Sequence, residues 1–273
     1  MYLGQHFLKN KNKLREIVEA LDLKPEETII EIGPGHGELT EVLAFRLEVL
    51  GQNWKIIAIE KDQQLIQNLQ KKFIHYKNIE IIAGDALRLL KSKTQNLKPK
   101  TYKIVGNIPF YITGHLLRIL GELKNRPSLI ILTVQKEVAE RICSQPFGSA
   151  QSKPRMNLLA ASVQFWAKPE IIDYISQKDF RPQPKINSAI VKFKTITLSG
   201  RSSMKCNKSD KEKYYKLIKI LFKQPRKTIL NNLKSLIKEN QVLIEKLETL
   251  QINPNDRPQN LTLDQIKKLT SLC

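Results

Sequence analysis

Residues 106–110, GNIPF, place an amide side chain, a proline and an aromatic ring close together. The side-chain oxygen of Asn107 and a backbone carbonyl of the Ile108–Pro109 pair are hydrogen-bond acceptors, so together they suit an amine with two hydrogens. Held this way, a planar amine such as that of adenine would aim its lone pair at an incoming methyl group. Phe110 offers a stacking face for the base. The segment predicts methyl transfer to such an amine, with Asn107, Pro109 and Phe110 as the catalytic residues.

No general base is required by this chemistry. A methyl group carried on a sulfonium is already activated, so positioning of the two reactants can supply most of the rate.

Three glycines stand between an apolar run and a helical pattern in residues 31–40, EIGPGHGELT. Gly33, Gly35 and Gly37 are spaced for a turn in which the backbone approaches a ligand closely. A dinucleotide fingerprint requires a small residue at the next position, which is Glu38. An acidic residue also suits a helix N-terminus poorly if that end binds pyrophosphate. The loop therefore predicts a cofactor with a positive or zwitterionic group.

Two carboxylates follow the next apolar runs. Glu60 ends the second run, where an acidic side chain can accept hydrogen bonds from both ribose hydroxyls. Asp85 follows the third run in GDAL and is suited to accept from an adenine amine. Features on three successive runs predict one nucleoside-binding site.

Apolar runs and helical patterns alternate through this part of the chain, which predicts an α/β fold with a doubly wound parallel sheet. The predicted strands are Thr28–Ile32, Lys55–Glu60, Ile79–Ala83, Lys103–Asn107 and Ser128–Val134. The predicted helices include Lys13–Leu21, Glu38–Leu50, Asp62–Phe73 and Thr113–Leu120.

The rest of the chain is less regular. Three further strands are predicted at Val163–Trp166, Glu170–Ile175 and Ala189–Phe193. We predict a methyltransferase domain over residues 1–197, a polar linker over 198–210 and a small basic helical domain over 211–273. In the last, Pro225 is expected near the start of a helix whose apolar face comprises Ile229, Leu230, Leu233, Leu236 and Ile237.

The net charge of +20 favours a polyanionic partner, because basic side chains neutralise phosphates and release counterions. Three scattered cysteines fit neither a disulfide framework nor a zinc site, and the histidines show no metal-ligand spacing. The first residues lack the apolar core and cleavage site of a signal peptide. We therefore expect a cytoplasmic protein without a metal, without a membrane span and monomeric by default, acting on nucleic acid.

Eight segments in matched order and spacing resemble the KsgA-type small-subunit ribosomal RNA adenine dimethyltransferases. They are GQHFL, EIGPGHGELT, the Glu60 strand, GDAL, GNIPF, QKEVAERI, FRPQPKINSAIV and RKTILNNLK. The resemblance implies a Rossmann-like methyltransferase domain followed by a small helical domain. It also implies transfer of methyl groups from S-adenosylmethionine to N6 of two adjacent adenines, in a hairpin loop near the 3′ end of the small-subunit RNA.

The resemblance also implies roles for individual residues. The predicted cofactor-binding residues are His6, Leu8, Gly33, Gly35, Glu60, Asp85, Ala86 and Asn107. Phe110 and Phe180 are predicted to stack on the two faces of the target base, as enzymes do with a base taken out of its helix. Lys185, Arg226 and Lys227 are predicted to contact RNA within a pre-ribosomal particle.

The sequence departs from the family at several points. Phe110 replaces the usual tyrosine and Tyr111 replaces an asparagine, while Met156–Asn157 replaces a Tyr-Gly pair. Pro225 replaces the first arginine of a twin-arginine segment. None of these positions belongs to the cofactor set, but each can alter RNA docking.

Three alternatives remain open. A large-subunit adenine methyltransferase of the erythromycin-resistance kind shares GNIPF and F-x-P-x-P-K, although RKTILNNLK and RPQNL argue against it. A non-catalytic RNA-binding assembly or transcription factor could use the same fold. A methyltransferase acting on a small molecule or a protein fits the charge poorly.

Overall fold

The computed structural model describes residues 5–51, 53–98, 101–144, 156–196, 208–237 and 239–272. The chain forms two compact units. The first comprises Met1–Ala139 and Lys168–Thr195, and the second comprises Glu140–Ala167 and Ile196–Cys273.

A seven-stranded sheet forms the centre of the first unit, with strands in the order β4-β3-β2-β5-β6-β9-β7. The strands are β2 (Thr28–Ile32), β3 (Lys55–Glu60), β4 (Ile79–Ala83), β5 (Tyr102–Asn107), β6 (Leu129–Gln135), β7 (Ala167–Ile175) and β9 (Ser188–Thr195). Strands β2 to β6 pair in parallel, and β9 pairs antiparallel with β6. The carboxyl ends of β2 to β5 therefore meet at one edge, where doubly wound sheets bind ligands.

A separate two-stranded sheet joins the N-terminal segment to a distant loop. Strand β1 (Phe7–Leu8) pairs antiparallel with β8 (Phe180–Arg181), with Leu8 opposite Phe180. This pairing crosses more than half of the sequence, so local pattern could not predict it.

Helices connect the strands of the first unit. They are α1 (Lys11–Ala20), α2 (Glu38–Leu50), α3 (Gln63–Lys72), α4 (Ala86–Thr94), α5 (Thr113–Glu122) and the start of α6 (Lys136–Ile142). Asp62 and Asp85 cap α3 and α4; Asp62 accepts hydrogen bonds from two backbone N–H groups in the first turn of α3, and Asp85 accepts one in α4.

The core of the first unit lies largely between the sheet and the helices α1 and α2. Ile29 and Val105 contribute from the strands, and Ile17, Leu43 and Leu47 contribute from the helices. All five side chains are buried. Because nearly every residue of β2 and β5 is buried, these strands are mostly apolar, as expected for parallel strands covered on both faces; Glu31 and Lys103 are the buried charged exceptions.

The described part of the second unit is helical. Its helices include α7 (Leu158–Gln164), α8 (Lys208–Leu221), α9 (Ile229–Leu233), α10 (Asn240–Thr249) and α11 (Leu263–Leu269). Phe165 stacks on Tyr214 with ring centroids 4.2 Å apart, and the Tyr214 hydroxyl donates to the Ala161 carbonyl. Burial raises the pKa of Tyr214 far above its usual value, so the phenol stays neutral.

Two predictions about secondary structure were wrong. Val163–Trp166, predicted as a strand, completes α7 and the turn after it, because Asn157 caps that helix through the Ala160 N–H. A short apolar run does not distinguish a buried strand from a buried helix. Pro225 lies in a turn, and α9 begins four residues later behind the cap of Thr228.

The predicted linker and C-terminal domain lie only partly within the described residues. Most of the predicted linker lies outside the described residues, and its last three positions, 208–210, are helical. In the predicted apolar face, α9 ends at Leu233, Leu236 lies in the turn that follows, and Ile237 comes directly after that turn. The boundaries at 197 and 211 stay predictions.

Candidate cofactor and nucleotide cavity

A cavity of about 280 Å³ opens at the carboxyl ends of β2, β3, β4 and β5. Ten predicted site residues line it: His6, Gly33, Gly35, Glu60, Asp85, Ala86, Asn107, Pro109, Phe110 and Phe180. The other lining residues are Gln5, Phe7, Ile32, Ile59, Lys61, Gly84, Leu87, Ile108, Tyr111 and Ile112. Folding thus brings together residues that are far apart in the sequence.

The glycine loop, residues 33–37, forms one wall of this cavity. Gly33 and Gly35 have φ angles of +66° and +62°, a conformation that costs other L-residues about 1–2 kcal/mol. A Cβ on Gly35 would also lie 2.7 Å from the ring of Phe7. Apart from its chain neighbours, no described residue has an atom within 4 Å of a Cβ placed on Gly33, which leaves the backbone open to a ligand.

Glu60 anchors the glycine loop to the end of β3. Its Oε2 accepts from the Gly35 N–H at 3.1 Å, and its Oε1 accepts from the N–H groups of Lys61 and Asp62 at 2.7 and 3.0 Å. A carboxylate has about four acceptor positions, so three backbone donors leave one free on Oε2. The side chain is 3% exposed and lines the cavity.

The two carboxylate oxygens of Asp85 have different partners. Its Oδ1 accepts from the Leu87 N–H at 2.9 Å and so caps α4. Its Oδ2 forms an ion pair with Lys61 Nζ at 3.2 Å. Lys61 also lines the cavity, and the sequence analysis did not predict it, because an exposed lysine after a strand carries no distinctive signal.

Asn107 is held by the N-terminal segment. Its Nδ2 donates to the backbone carbonyl of His6 at 2.8 Å, and His6 Nδ1 lies 2.8 Å from the Pro182 carbonyl. The donor end of the amide is therefore engaged, and no hydrogen bond from a described residue reaches its Oδ1. The ring of His6 lies 5.9 Å from that of Phe110, so both form the wall beside this acceptor.

A buried carboxyl group lies on β2, near the glycine loop. Glu31 is 1% exposed and accepts a hydrogen bond from Thr40 Oγ1 of α2 at 2.7 Å. Burial raises the pKa of Glu31 to about 8; the Thr40 hydrogen bond opposes this shift, and the charge of Glu60 adds to it. Glu31 is therefore mostly neutral at pH 7. The sequence analysis did not predict this buried carboxyl group, although an acidic residue inside an apolar strand is a signal for one.

Leu8 and the three residues predicted to contact RNA do not line the cavity. Leu8 is buried in the core of the first unit and does not line the cavity. Lys185 is exposed on the loop between β8 and β9. Arg226 and Lys227 are exposed in the turn before α9, within the second unit. The roles of all predicted site residues stay predictions.

No group of three or more His, Cys, Asp or Glu side chains among the described residues is arranged to hold a metal ion. Within the same part of the chain, no helix is long and apolar enough to cross a membrane.

Comparison with known proteins gives matches over nearly the whole chain. The family model described as ribosomal RNA adenine dimethylase matches residues 1–272. A protein of Mycoplasma mycoides subsp. mycoides named ribosomal RNA small subunit methyltransferase A is 35% identical, over 99% of this chain and 96% of that protein. A protein of the same name from Dehalococcoides mccartyi is 36% identical, over 98% of this chain and 86% of the relative.

Solved structures agree with these matches. A dimethyladenosine transferase from Plasmodium falciparum has a TM-score of 0.74 and 26% identity, and the match covers 97% of both chains. The 23S rRNA methyltransferase ErmE has a TM-score of 0.70 and 21% identity, over 97% of this chain and 98% of ErmE. At that identity, the likeness to ErmE concerns the fold alone.

Proposed function

Because the chain belongs to the ribosomal RNA adenine dimethylase family, we propose that it methylates N6 of two adjacent adenines in the 3′-terminal hairpin loop of small-subunit ribosomal RNA. The product is N6,N6-dimethyladenosine, formed during biogenesis of the small subunit. The predicted family and the Rossmann-like fold class are confirmed. The chain is an S-adenosylmethionine-dependent methyltransferase.

The cavity has the groups that this cofactor needs. The open face of Gly33 can receive the methionine part, the free acceptor on Glu60 suits a ribose hydroxyl, and Asp85 Oδ2 suits the adenine amine. When bound, S-adenosylmethionine supplies a methyl group activated by its positive sulfur. The chain's own residues must then place the substrate amine in line with that carbon.

The fixed amide of Asn107 is the observation that carries the proposal. Since Nδ2 is bound to the His6 carbonyl, the acceptor Oδ1 is held in one orientation without a competing protein donor among the described residues. The target amine can donate one hydrogen to Oδ1 and the other to the carbonyl of Ile108 or Pro109. Both contacts orient the nitrogen lone pair before transfer, which removes an entropic cost from the barrier. Phe110 supplies a face for the base.

The small-subunit substrate is better supported than the large-subunit one. The curated relatives at 35% and 36% identity are named small-subunit methyltransferases, whereas the large-subunit enzyme ErmE is 21% identical. A non-catalytic role is unattractive, because the cavity contains both carboxylates and the amide that transfer would use.

We also propose that the protein acts as a cytoplasmic monomer on a pre-ribosomal particle. The charge of +20 supports an RNA partner, and Lys185, Arg226 and Lys227 are exposed cations available for phosphates. RNA of this kind would be selected by shape and by phosphate contacts.

The deciding experiment is incubation of the protein with unmodified small-subunit particles and cofactor labelled in its methyl group, followed by mapping of the modified bases. We expect label at N6 of two adjacent adenines near the 3′ end. Label confined to large-subunit RNA would instead support the erythromycin-resistance type, and absence of label from both would support a non-catalytic factor.

A further inference from the structure

Tyr111 is an exposed aromatic side chain at the cavity that the proposed chemistry does not use. It follows Phe110 in the short 3₁₀ turn Phe110–Ile112 and lines the cavity, yet 66% of it is exposed. Among the described residues it has no hydrogen-bond partner and no ring partner. A large aromatic surface left open beside a binding cavity calls for an occupant.

Other exposed aromatic residues differ from Tyr111. Tyr76 packs edge-on against Phe73, and Lys136 lies over the ring of Tyr174. Phe45 on α2 is 70% exposed but does not line the cavity. Phe45 therefore serves as a matched control, since it combines comparable exposure with a different location.

The 3₁₀ turn gives Phe110 and Tyr111 different directions. Such a turn has about three residues per turn, so consecutive side chains point roughly 120° apart. Phe110 is only partly exposed and lies beside His6 in the cavity wall, whereas the ring of Tyr111 faces solvent at the mouth. A base held against Phe110 would therefore leave Tyr111 accessible to whatever follows or precedes that base on the strand.

We propose that Tyr111 is a stacking platform for the nucleotide adjoining the base held in the cavity. This inference rests on the proposed function, which places a single RNA strand at the mouth. Aromatic side chains stack on any base, because every base has a π-face, and so the platform tolerates sequence. With two adjacent target adenines, one would enter the cavity while the other lies on Tyr111, and the two would exchange places between rounds of transfer.

A fluorescent base reports this stacking directly. We would use two single-stranded RNA oligonucleotides, with 2-aminopurine on the 5′ side of an adenine in one and on the 3′ side in the other, in the presence of S-adenosylhomocysteine. The wild-type protein should quench one of the two reporters. Tyr111→Ala should lose that quenching and bind the oligonucleotide roughly 5- to 150-fold more weakly, the range for one lost base stack. Tyr111→Phe should retain both, and Phe45→Ala should match the wild type.

The outcomes separate this inference from the proposed function. Quenching that survives in Tyr111→Ala, or that is absent on both sides in the wild type, would overturn the stacking platform. The proposed function is judged by a different readout, the label that the wild-type protein places on adenines of small-subunit particles. Circular dichroism of each variant shows whether it folds. If the alanine variant does not fold, Tyr111→Leu tests the ring, because it keeps an apolar side chain but has no π-face and should also lose the quenching.

Discussion

Two parts of the cavity wall are built in different ways. The wall formed by the ends of β2, β3 and β4 is held mainly by short-range contacts, such as Glu60 with Lys61 and Asp62, and Asp85 with Leu87. Its links between elements, Glu60 with Gly35 and Lys61 with Asp85, span 25 and 24 positions. The wall formed by the end of β5 depends on long-range contacts. Asn107 is bound by His6, and His6 contacts Pro182, 176 positions away.

The two halves of the proposed reaction, cofactor binding and placement of the substrate amine, therefore depend on different kinds of contact. The cofactor wall, defined as the glycine loop with Glu60 and Asp85, follows from strand-to-helix turns that the local sequence encodes. The substrate wall, defined as Asn107 to Phe110 with β1 and β8, exists only once the chain ends of the first unit have come together. Variants in one wall should therefore affect one half of the reaction more than the other.

The largest effect is expected from Asn107→Ala, which removes the acceptor for the target amine. We expect kcat for methyl transfer to fall by about 10³-fold, a typical cost of losing one preorganised polar group at a reacting centre. Cofactor affinity should change by less than about tenfold, because Glu60 and Asp85 remain. Single-turnover transfer and calorimetric titration of S-adenosylmethionine measure the two quantities. Equal losses in both would contradict the separation of the walls.

Gly35→Ala should damage the cofactor wall. The added Cβ would force a residue with a φ of +62° against the Phe7 ring at 2.7 Å, so the loop must move. We expect cofactor affinity to fall by about 10- to 100-fold, since positive φ alone costs about 1–2 kcal/mol. Gly114→Ala is the matched control, because a Cβ at that helical position meets no atom of the described residues within 4 Å beyond its chain neighbours and its own helix backbone. Unchanged cofactor binding in Gly35→Ala would show that the loop is not a close-contact wall.

Glu31 should make the stability of the first unit depend on pH. Its folded pKa of about 8 lies above the unfolded value of about 4.5, so the folded state holds a proton that the unfolded state releases. Its stabilising contribution is complete below pH 4.5 and is lost as the pH rises to about 8. Between pH 5 and pH 8.5, the free energy of unfolding of the wild type should fall by about 2 kcal/mol more than that of Glu31→Gln. This rough figure lies below the limit set by the two pKa values. Urea denaturation at both pH values measures this difference.

The same measurement can contradict the prediction that Glu31 is protonated in the folded state. If the two proteins respond identically to pH, Glu31 is not protonated beneath the glycine loop. Thr40→Val provides a second check, because it removes the hydroxyl that donates to Glu31 while the volume at that position stays similar.

The smallest effect is expected from Lys61→Met. Lys61 pairs with Asp85 Oδ2, the acceptor proposed for the cofactor's adenine amine, so the ion pair competes with binding. We expect cofactor affinity to rise about twofold to fivefold at low salt, the value of one exposed ion pair, and the difference to vanish at high salt. Titration of S-adenosylmethionine at two ionic strengths tests this. Weaker binding in Lys61→Met would mean that the lysine assists the cofactor.

Much of the fold could be predicted from local pattern. The strands Thr28–Ile32 and Lys55–Glu60 and the helix Glu38–Leu50 have the predicted bounds, since buried parallel strands and a helix flanked by glycines leave clear signals. The pairing of β1 with β8 could not be predicted, because two-residue strands have no periodicity. Val163–Trp166 was misassigned for a related reason, since a short apolar run suits a buried helix as well as a strand.

The candidate site shows the same limit. The types and order of its residues could be predicted from the sequence. Three features could not: the contact of Asn107 with His6, the ion pair of Lys61 with Asp85 and the burial of Leu8. Each depends on which side chains meet when distant strands are aligned.

By itself, the sequence determined the family, the parallel sheet and the groups that line its carboxyl edge, because apolar runs, turn glycines and strand-end carboxylates act over a few residues. Tertiary structure alone decided how these groups are oriented, because the Gly35 N–H that binds Glu60 and the His6 carbonyl that accepts from Asn107 belong to other parts of the chain. The local chemistry is encoded in neighbouring residues, whereas the orientation of that chemistry arises from contacts that span the folded unit.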